Sequence, residues 1–518
     1  MSNLTRNLSS MSAMGSLRAA QPVGTSPGVW RGIKAILTIS WLNILLLCIP
    51  IAWALDLSLP HTNSNDTLVF IFSFFAIIPL ARLLAFATDE LSLRVGQTLA
   101  GLLNATLVSR IVELIIAIIA LVHCELQIVQ SSLVGSILSD LLLVLGMCFF
   151  AGGIKFSEQG FGQSTTQLNC SLLIVSVIAI LLPAAFHQVV GGDIPISEEG
   201  PAVLSFSRGV AVILLLIYAC YLVFQLFSHK ELYEDRYQDE GGDIYRSAHY
   251  PKGRTILYKP QWLRDSRRRS HDVTIAVIQN AGPVIQPIDE RMGDAYEIAR
   301  IASGPRTMDD AEPASSSSPS GSDVGSFRRH SNADVEVQQQ TVEPEGIEAP
   351  QMSMPLTIGL LVIVTALVAV TAEWLVGSIN GLTDSGHIKK QWVGLILLPI
   401  VSNAAEHATA VSVSVKDKLT LSLSVAIGAG IQISLFVIPF TVVLSWVLGK
   451  PLTMLFDPLE SIVLFLSVLV VHYTASDGKS YWLEGVILMC LYLIIAVIFW
   501  YYPGDNTTQQ IMTQSLAC

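Results

Sequence analysis

Charged residues are scarce in this chain. Asp, Glu, Lys and Arg make up only 14% of its 518 residues, whereas hydrophobic residues make up 52% and the mean hydropathy is +0.56. A soluble domain typically carries about 25% charged residues. With so few charges, a soluble fold of this length would expose large apolar patches to water, which excludes that class. We therefore expect the chain to be solvated mostly by lipid.

The sequence also lacks a basic surface, paired cysteines and a signal peptide. The formal net charge of −11 provides no basic surface for nucleic acid. The seven cysteines stand singly, without the spacing of a zinc site or a disulfide framework, so we expect them to pack as small apolar side chains. The first 30 residues lack the apolar core and cleavage site of a signal peptide, so the hydrophobic run that begins near Lys34 is expected to remain as a membrane anchor.

Long apolar segments dominate what is present. A helix needs about 20 apolar residues to cross the hydrocarbon core of a bilayer. Segments of that kind lie at about 35–55, 67–87, 97–122, 128–150, 168–187, 203–227, 355–379, 392–414, 420–448, 457–475 and 482–501. The sequence therefore predicts an all-α polytopic membrane protein with about 11 transmembrane helices.

A long polar insertion divides these helices into one leading helix and two groups of five. Its serine-rich and glutamine-rich stretches predict disorder for much of it. The predicted domains are a cytosolic N-terminal tail at 1–34, a leading helix at 35–55, a first repeat at 67–227, a cytosolic linker at 228–352, a second repeat at 355–501 and a lumenal C-terminal tail at 502–518. Lys and Arg concentrate in the N-terminal tail and the linker, which places both in the cytosol.

An odd number of helices in each group forces the two repeats into opposite orientations. Inverted repeats are a recurrent plan of secondary transporters, whose binding site lies near the bilayer midplane where the repeats meet. Within this plan, one glutamate interrupts the second apolar span of each repeat: Glu113 in Ser109-Arg-Ile-Val-Glu113 and Glu406 in Ser402-Asn-Ala-Ala-Glu406. A carboxylate in the bilayer core costs about 3 kcal/mol, so such residues usually face a partner, an ion or water. Together they predict one cation site.

Small and polar residues follow each glutamate. The next span contains Gly135-Ser136 with Gln130 before it in the first repeat, and Gly428-Ala-Gly-Ile-Gln432 in the second. Such residues allow a helix to break or to approach a neighbour closely, which frees oxygens for ion binding. Glu90 and Glu373 precede the motifs and form a second acidic pair near the ends of their spans.

These motifs resemble the Ca2+/H+ exchangers of the cation/proton exchanger family, in particular the fungal vacuolar type. The resemblance covers every predicted span except the first, and it is carried by Gly101-Leu-Leu-Asn-Ala-Thr106, Ile128-Val-Gln-Ser-Ser132, Leu397-Leu-Pro-Ile-Val-Ser-Asn-Ala-Ala-Glu-His407 and Leu455-Phe-Asp-Pro-Leu-Glu460. It implies a secondary antiporter, not an enzyme, that exchanges cytosolic Ca2+ for lumenal protons across the vacuolar membrane. No cofactor is implied; Ca2+ is the transported substrate, with Mn2+ as a second candidate.

The resemblance also implies roles for individual residues. The predicted cation-binding set consists of Glu113, Glu406, Asn403, Ser402, Ser136, Gln130 and Gln432. The set predicted to line the access path or couple protons consists of Glu90, Glu373, His407 and Asp140. Ca2+ takes six to eight oxygen ligands, so two carboxylates with amide, hydroxyl and carbonyl oxygens suit it. Two carboxylates also balance one divalent ion, and protons compete with Ca2+ for the same oxygens.

The sequence departs from the family pattern in its first repeat. The family reads Gly-Asn-Ala-x-Glu in both repeats, whereas this chain has one extra residue before Glu113 and an arginine, Arg110, one helical turn from it. Asp140 stands where the family usually has asparagine, and Ser402 replaces a glycine. An Arg–Glu pair would place a positive charge where Ca2+ should bind.

These departures leave alternatives open. The chain is a diverged exchanger, or a non-transporting cation sensor or membrane scaffold, or a Na+-coupled exchanger, the last disfavoured by the resemblance. A further hypothesis is that 108–110 record a misplaced splice boundary, because Val-Ser can be encoded by the usual intron start. In the linker, Ser270 and Ser331 follow basic clusters typical of kinase sites. The proton stoichiometry and the oligomeric state do not follow from the sequence.

Overall fold

The computed structural model describes residues 28–38, 40–60, 62–94, 110–190, 196–229, 248–249, 350–384, 386 and 388–504. The predicted linker, including Ser270 and Ser331, lies almost entirely outside these residues, as do most of both predicted tails. Of the segment 108–110, only Arg110 is described.

Helices account for nearly all of the described chain. Those before the linker are α1 (Val29–Thr38), α2 (Trp41–Ser58), α3 (Asn63–Ser92), α4 (Ile111–Val122), α5 (Leu126–Lys155), α6 (Gln163–Val190) and α7 (Ile196–Val223). Those after it are α8 (Met354–Thr383), α9 (Lys390–Ser402), α10 (Ala404–Ser414), α11 (Leu419–Val447), α12 (Pro458–Thr474) and α13 (Trp482–Tyr501). The prediction of an all-helical membrane fold is confirmed.

Not every apolar helix in the described part of the chain is long enough to cross a membrane. Among the described residues, eight helices are long and apolar enough to cross a membrane, and the bent pair α9 and α10 gives a ninth. The shorter apolar helices α4 and α12 lie within the third and tenth predicted spans. The count of eleven therefore stays a prediction.

A small antiparallel sheet joins three connections between helices, which the sequence did not predict. Strand β1 (Phe156–Gly160) lies between β2 (Ala248–His249) and β3 (Lys479–Ser480). Such polar connections lie outside any helix and gain partners for their backbone N–H and C=O groups by pairing. Lys479 Nζ lies 2.7 Å from Glu158 Oε1, and the hydrogen bond from Lys479 lowers the pKa of Glu158.

Helices α5 and α11 form the centre of the molecule and correspond to each other in the two repeats. Each contains a π-helical turn, at Ser139–Val144 and at Ile433–Val437. In their most apolar windows 83% and 72% of residues are buried, against 22% for α8, so the two helices face protein more than lipid. Close approach depends on Gly135 in α5, where a Cβ atom would lie 2.1 Å from the carbonyl oxygen of Leu395 in α9.

The chain breaks at Asn403, between α9 and α10, where the two helix axes differ by 57°. Pro399 lies just before the break and follows a π-helical turn at Val393–Leu397. A proline ring removes one backbone donor and is accommodated by wider local turns. This break places the start of α10 inside the bundle.

One cysteine departs from the expectation of isolated packing residues. Cys124, after the C-terminal end of α4, is disulfide-bonded and has a positive φ of 60°. Cys48, Cys148, Cys170, Cys220 and Cys490 are free, as expected. Sequence spacing carries no sign of a bond that depends on the tertiary fold.

Candidate functional site

Each motif glutamate is the third residue of a helix that begins inside the membrane. Arg110 precedes α4, and Asn403 precedes α10; both have similar backbone angles, with φ/ψ of −113°/6° and −96°/3°. A helix of 11 or 12 residues spans about 17 Å, which is little more than half of a hydrocarbon core about 30 Å thick. The free N–H groups and dipole of a helix start favour a nearby carboxylate.

The guanidinium group of Arg110 contacts both motif glutamates. Its Nη1 lies 3.1 Å from Glu113 Oε2, and its Nη2 donates to Glu406 Oε2. Nη1 also lies 3.3 Å from Asp140 Oδ2 and 3.4 Å from Asn403 Oδ1. The arginine side chain is 1% exposed, so these contacts are desolvated and strong. We call Arg110, Glu113, Asp140, Asn403 and Glu406 the central cluster.

Asp140 belongs to the central cluster through contacts with both repeats. It lies in the π-helical turn of α5, and its Oδ1 is 3.4 Å from Asn403 Nδ2 and 3.9 Å from His407 Nε2. His407 Nε2 also lies 3.4 Å from Ser139 Oγ. The predicted access-path residues Asp140 and His407 therefore lie beside the two glutamates.

A cavity of about 460 Å3 reaches the central cluster from one end of the bundle. It is lined by the C-terminal part of α3, by residues 225 and 226 after α7 and by the N-terminal part of α11, and it ends at Glu406, Arg110, Ser402 and Gln432. Glu406 is the most exposed carboxylate of the cluster, with 17% of its side chain accessible against 4% for Glu113. Of the three carboxylates of the central cluster, Glu406 is the one that lines this cavity.

A second, much smaller cavity lies beside Glu113. This cavity has a volume of about 10 Å3, room for one water molecule, and is lined by Glu113, Ser132, Ser136 and Ser402 among others. Glu113 Oε1 is buried and has no hydrogen-bond partner. Arg110 lines the open cavity and contacts Glu113, whereas Glu113 itself lines only the smaller cavity.

Comparison with known proteins places the chain in a family. The sequence model described as sodium/calcium exchanger protein matches residues 65–227 and 356–501, more than half of the chain. The chain belongs to the sodium/calcium exchanger family.

Two curated proteins are similar over most of the chain. The vacuolar calcium ion transporter of Cryptococcus neoformans var. grubii is 49% identical over 94% of this chain and 77% of its own length. The Ca(2+)/H(+) antiporter of the cyanobacterium Synechocystis is 32% identical over 85% of this chain and 92% of its own. The solved structure of native YfkE has a TM-score of 0.57 at 23% identity and covers 89% of this chain and 100% of its own, which shows a shared fold.

The two glutamines of this exchanger-family chain are not equivalent. Gln432 lines the open cavity together with Glu406, and ion binding by Gln432 stays a prediction. Gln130 instead lies near the N-terminal end of α5, where its Nε2 donates to the carbonyl oxygens of Thr453 and Leu455 at 2.9 and 3.0 Å. These bonds tie α5 to the segment that precedes α12, and ion binding by Gln130 stays a prediction.

The second acidic pair lies away from the central cluster. Glu90 is buried at the end of α3 and accepts hydrogen bonds from the backbone N–H groups of Gln351 and Met352 at 3.0 and 3.2 Å. Glu373 in α8 is half-exposed and lies 2.6 Å from His123 Nε2. Their predicted role in the access path is untested by these contacts.

Sequence reasoning missed Glu460 as a candidate site residue. It is fully buried at the start of α12, where its Oε1 accepts hydrogen bonds from Ser131 Oγ at 2.6 Å and Gln391 Nε2 at 2.7 Å, and its Oε2 has no partner. The motif Leu455-Phe-Asp-Pro-Leu-Glu460 contained the signal, because Asp-Pro starts a helix whose first turn carries an acid just before an apolar run.

No group of three or more His, Cys, Asp or Glu side chains in the described part of the chain is arranged to hold a metal ion. The central cluster has three carboxylates, but all three contact the guanidinium of Arg110. A cation can therefore share these oxygens only after Arg110 shifts.

Proposed function

We propose that this protein is a secondary antiporter that moves cytosolic Ca2+ into the vacuole in exchange for lumenal protons. One observation carries the proposal: Glu113 and Glu406, the third residues of equivalent helices in opposite repeats, come together where the open cavity ends. The vacuolar and Ca2+/H+ names of the similar transporters from Cryptococcus and Synechocystis support the substrate, the counter-ion and the membrane.

The oxygens around the cluster suit Ca2+. The two carboxylates supply charge, while Asn403, Ser402 and Ser136 supply neutral oxygens close to them. A hard divalent cation prefers such ligands over nitrogen or sulfur. The same donors accept Mn2+, so Mn2+ is a second candidate substrate.

Ion exchange follows because Ca2+ and protons compete for these carboxylates. A site that holds either Ca2+ or protons is neutralised, whereas an empty site carries charge that is costly to move through a low-dielectric interior. Reorientation of the repeats is therefore coupled to occupancy. In this mechanism Glu406 receives the ion from the cavity, and Glu113 completes the site.

The side of the membrane to which the cavity opens follows from the predicted distribution of Lys and Arg. The cavity opens toward the C-terminal end of α3, the C-terminal end of α7 and the N-terminal end of α11. With the linker in the cytosol, these ends are cytosolic, and the geometry suits an inward-facing state ready to receive cytosolic Ca2+. His407 and Gln432 adjoin the ion path, and Glu90 and Glu373 flank it at opposite ends.

Uptake of 45Ca2+ into acid-loaded vesicles that contain the full-length protein tests the proposal. We expect uptake that disappears when the proton gradient is collapsed and that is absent from Glu406→Gln vesicles. Glu158→Gln, the same change of chemistry on strand β1 outside the membrane helices, should transport normally. Uptake that ignores the proton gradient but follows a Na+ gradient would assign the protein to Na+-coupled exchange.

A second candidate function is a non-transporting cation sensor or membrane scaffold. The observation that favours it is the buried guanidinium of Arg110, which holds both glutamates at once. Correctly inserted protein that shows no uptake under any gradient would support this candidate. The same vesicles then serve to measure Ca2+ binding without transport.

A further inference from the structure

Arg110 has no role in the exchange described above and works against it. A fixed positive charge among two glutamates would leave a site with one net negative charge, too little to balance a divalent cation. The structure contains a third carboxylate within reach, because Asp140 Oδ2 lies 3.3 Å from Arg110 Nη1. Three carboxylates and one guanidinium leave a net formal charge of −2.

Asp140 is held in this position from the opposite repeat. Asn403 Nδ2 lies 3.4 Å from its Oδ1, and His407 Nε2 lies 3.9 Å from the same oxygen. Its side chain is 2% exposed. Its buried Oδ2 has no hydrogen-bond partner and lies 3.3 Å from Nη1 of the guanidinium. The carboxylate is therefore a fixed partner for Arg110 and does not point to solvent.

Unlike Asp140, both motif glutamates lie beside a cavity. Glu406 opens on the large cavity, and Glu113 Oε1 is buried without a partner beside the small one. Each therefore has an oxygen directed at space, whereas Asp140 does not line either cavity. An entering cation can replace the guanidinium at both glutamates while Asp140 retains it.

We infer that Asp140 and Arg110 form a charge-balancing pair that sets the valence of the ion the site accepts. With the pair in place, the site is neutral when it holds one divalent cation. The inference rests on the proposed function for its substrate, and it makes Asp140 a specificity-determining residue and Arg110 its counter-charge. Either residue without the other gives a loaded site with a net charge of +1 or −1.

Four full-length proteins test the pair: wild type, Asp140→Asn, Arg110→Gln and the double variant. In proteoliposomes with an imposed proton gradient, we expect each single substitution to reduce 45Ca2+ uptake at least tenfold, because a charged loaded site reorients poorly. The double variant should recover at least tenfold over Asp140→Asn. In competition assays, Asp140→Asn should also lower the preference for Ca2+ over Na+ at least tenfold. Asp384→Asn, the same change at an exposed turn after α8, serves as the matched control.

Equilibrium 45Ca2+ binding to the purified proteins separates this inference from the proposed function. Charge balance predicts weaker binding for Asp140→Asn, tighter binding for Arg110→Gln and intermediate binding for the double variant, whether or not the wild type transports. Binding by Asp140→Asn equal to that of the wild type overturns the inference. A double variant as inactive as the worse single variant, or four folded proteins that all fail to bind Ca2+, also overturns it. Thermal unfolding of each variant verifies that it is folded.

Discussion

The helices α4 and α10 begin at equivalent places in the two repeats and carry their glutamates at the same position, yet the residues that precede them differ. Asn403 in the second repeat is neutral and contacts both Arg110 and Asp140. Arg110 in the first repeat is charged and contacts three carboxylates. The second repeat thus keeps an amide at the helix start, and the first has a cation there. The difference shows that inverted repeats can share backbone geometry while their electrostatics diverge.

The largest expected effect distinguishes the two glutamates. Glu406→Gln should lower Ca2+ uptake more than about 100-fold, because this carboxylate faces the open cavity and carries the charge an entering ion meets. Glu113→Gln should weaken Ca2+ binding about tenfold, since Arg110 already shields Glu113 from the cavity. Concentration dependence of 45Ca2+ uptake provides both values. Equal losses from the two variants would break the comparison and make the repeats functionally equivalent.

A second effect distinguishes the packing of the two central helices. In α5, Gly135→Ala would place a methyl group 2.1 Å from the Leu395 carbonyl oxygen, and we expect a cost of about 3 kcal/mol or more in unfolding free energy. In α11, a Cβ at Gly428 meets nothing within 4 Å, so Gly428→Ala should change stability by about 1 kcal/mol or less. Thermal unfolding in detergent compares the two. A Gly135→Ala protein as stable as Gly428→Ala would show that α5 and α9 pack less closely.

A third effect concerns the buried acid that ties the repeats together. Glu460→Ala leaves Ser131 and Gln391 without their shared acceptor and should cost about 1–3 kcal/mol. Glu460→Gln keeps one carbonyl oxygen for these donors and should cost about 1 kcal/mol or less. The same unfolding assay separates them. Similar losses in both variants would assign the effect to charge, not to the two hydrogen bonds.

The smallest effect is expected where the repeats meet at the membrane surface. Lys479→Gln removes the ion pair with Glu158, whose two side chains are each about one-third exposed. Exposed pairs of this kind contribute about 0.5 kcal/mol, so stability and uptake should remain close to those of the wild type. A loss comparable to that of Glu460→Ala would show that the small sheet contributes to the coupling of the repeats.

Local features of the fold followed directly from the sequence. Apolar runs of membrane-spanning length predicted the helices, and the alignment of Ser109-Arg-Ile-Val-Glu113 with Ser402-Asn-Ala-Ala-Glu406 predicted equivalent positions for the two glutamates. Both glutamates are indeed the third residue of their helix. The contact of Arg110 with Glu113 was also predictable, because residues three apart lie on one helical face.

Other features could not be read from the chain. Gln130 and Gln432 occupy corresponding spans but lie in different places, because Gln130 precedes Gly135 whereas Gln432 follows Gly428. The small sheet and the disulfide of Cys124 depend on connections brought together by helix packing. Asp140 was predicted near the path, but its contacts with Arg110 and His407 come from three different helices.

By itself, the sequence determined a lipid-solvated helical bundle, its division by a polar linker and the pair of intramembrane glutamates. These features depend on hydropathy and helical periodicity, which are properties of residues that are neighbours in the sequence. Only the tertiary structure decided that Arg110 contacts Glu406, 296 positions away, as well as Glu113 and Asp140. A buried charged side chain needs partners of opposite charge. Which residues supply those partners depends on how the two repeats pack against each other.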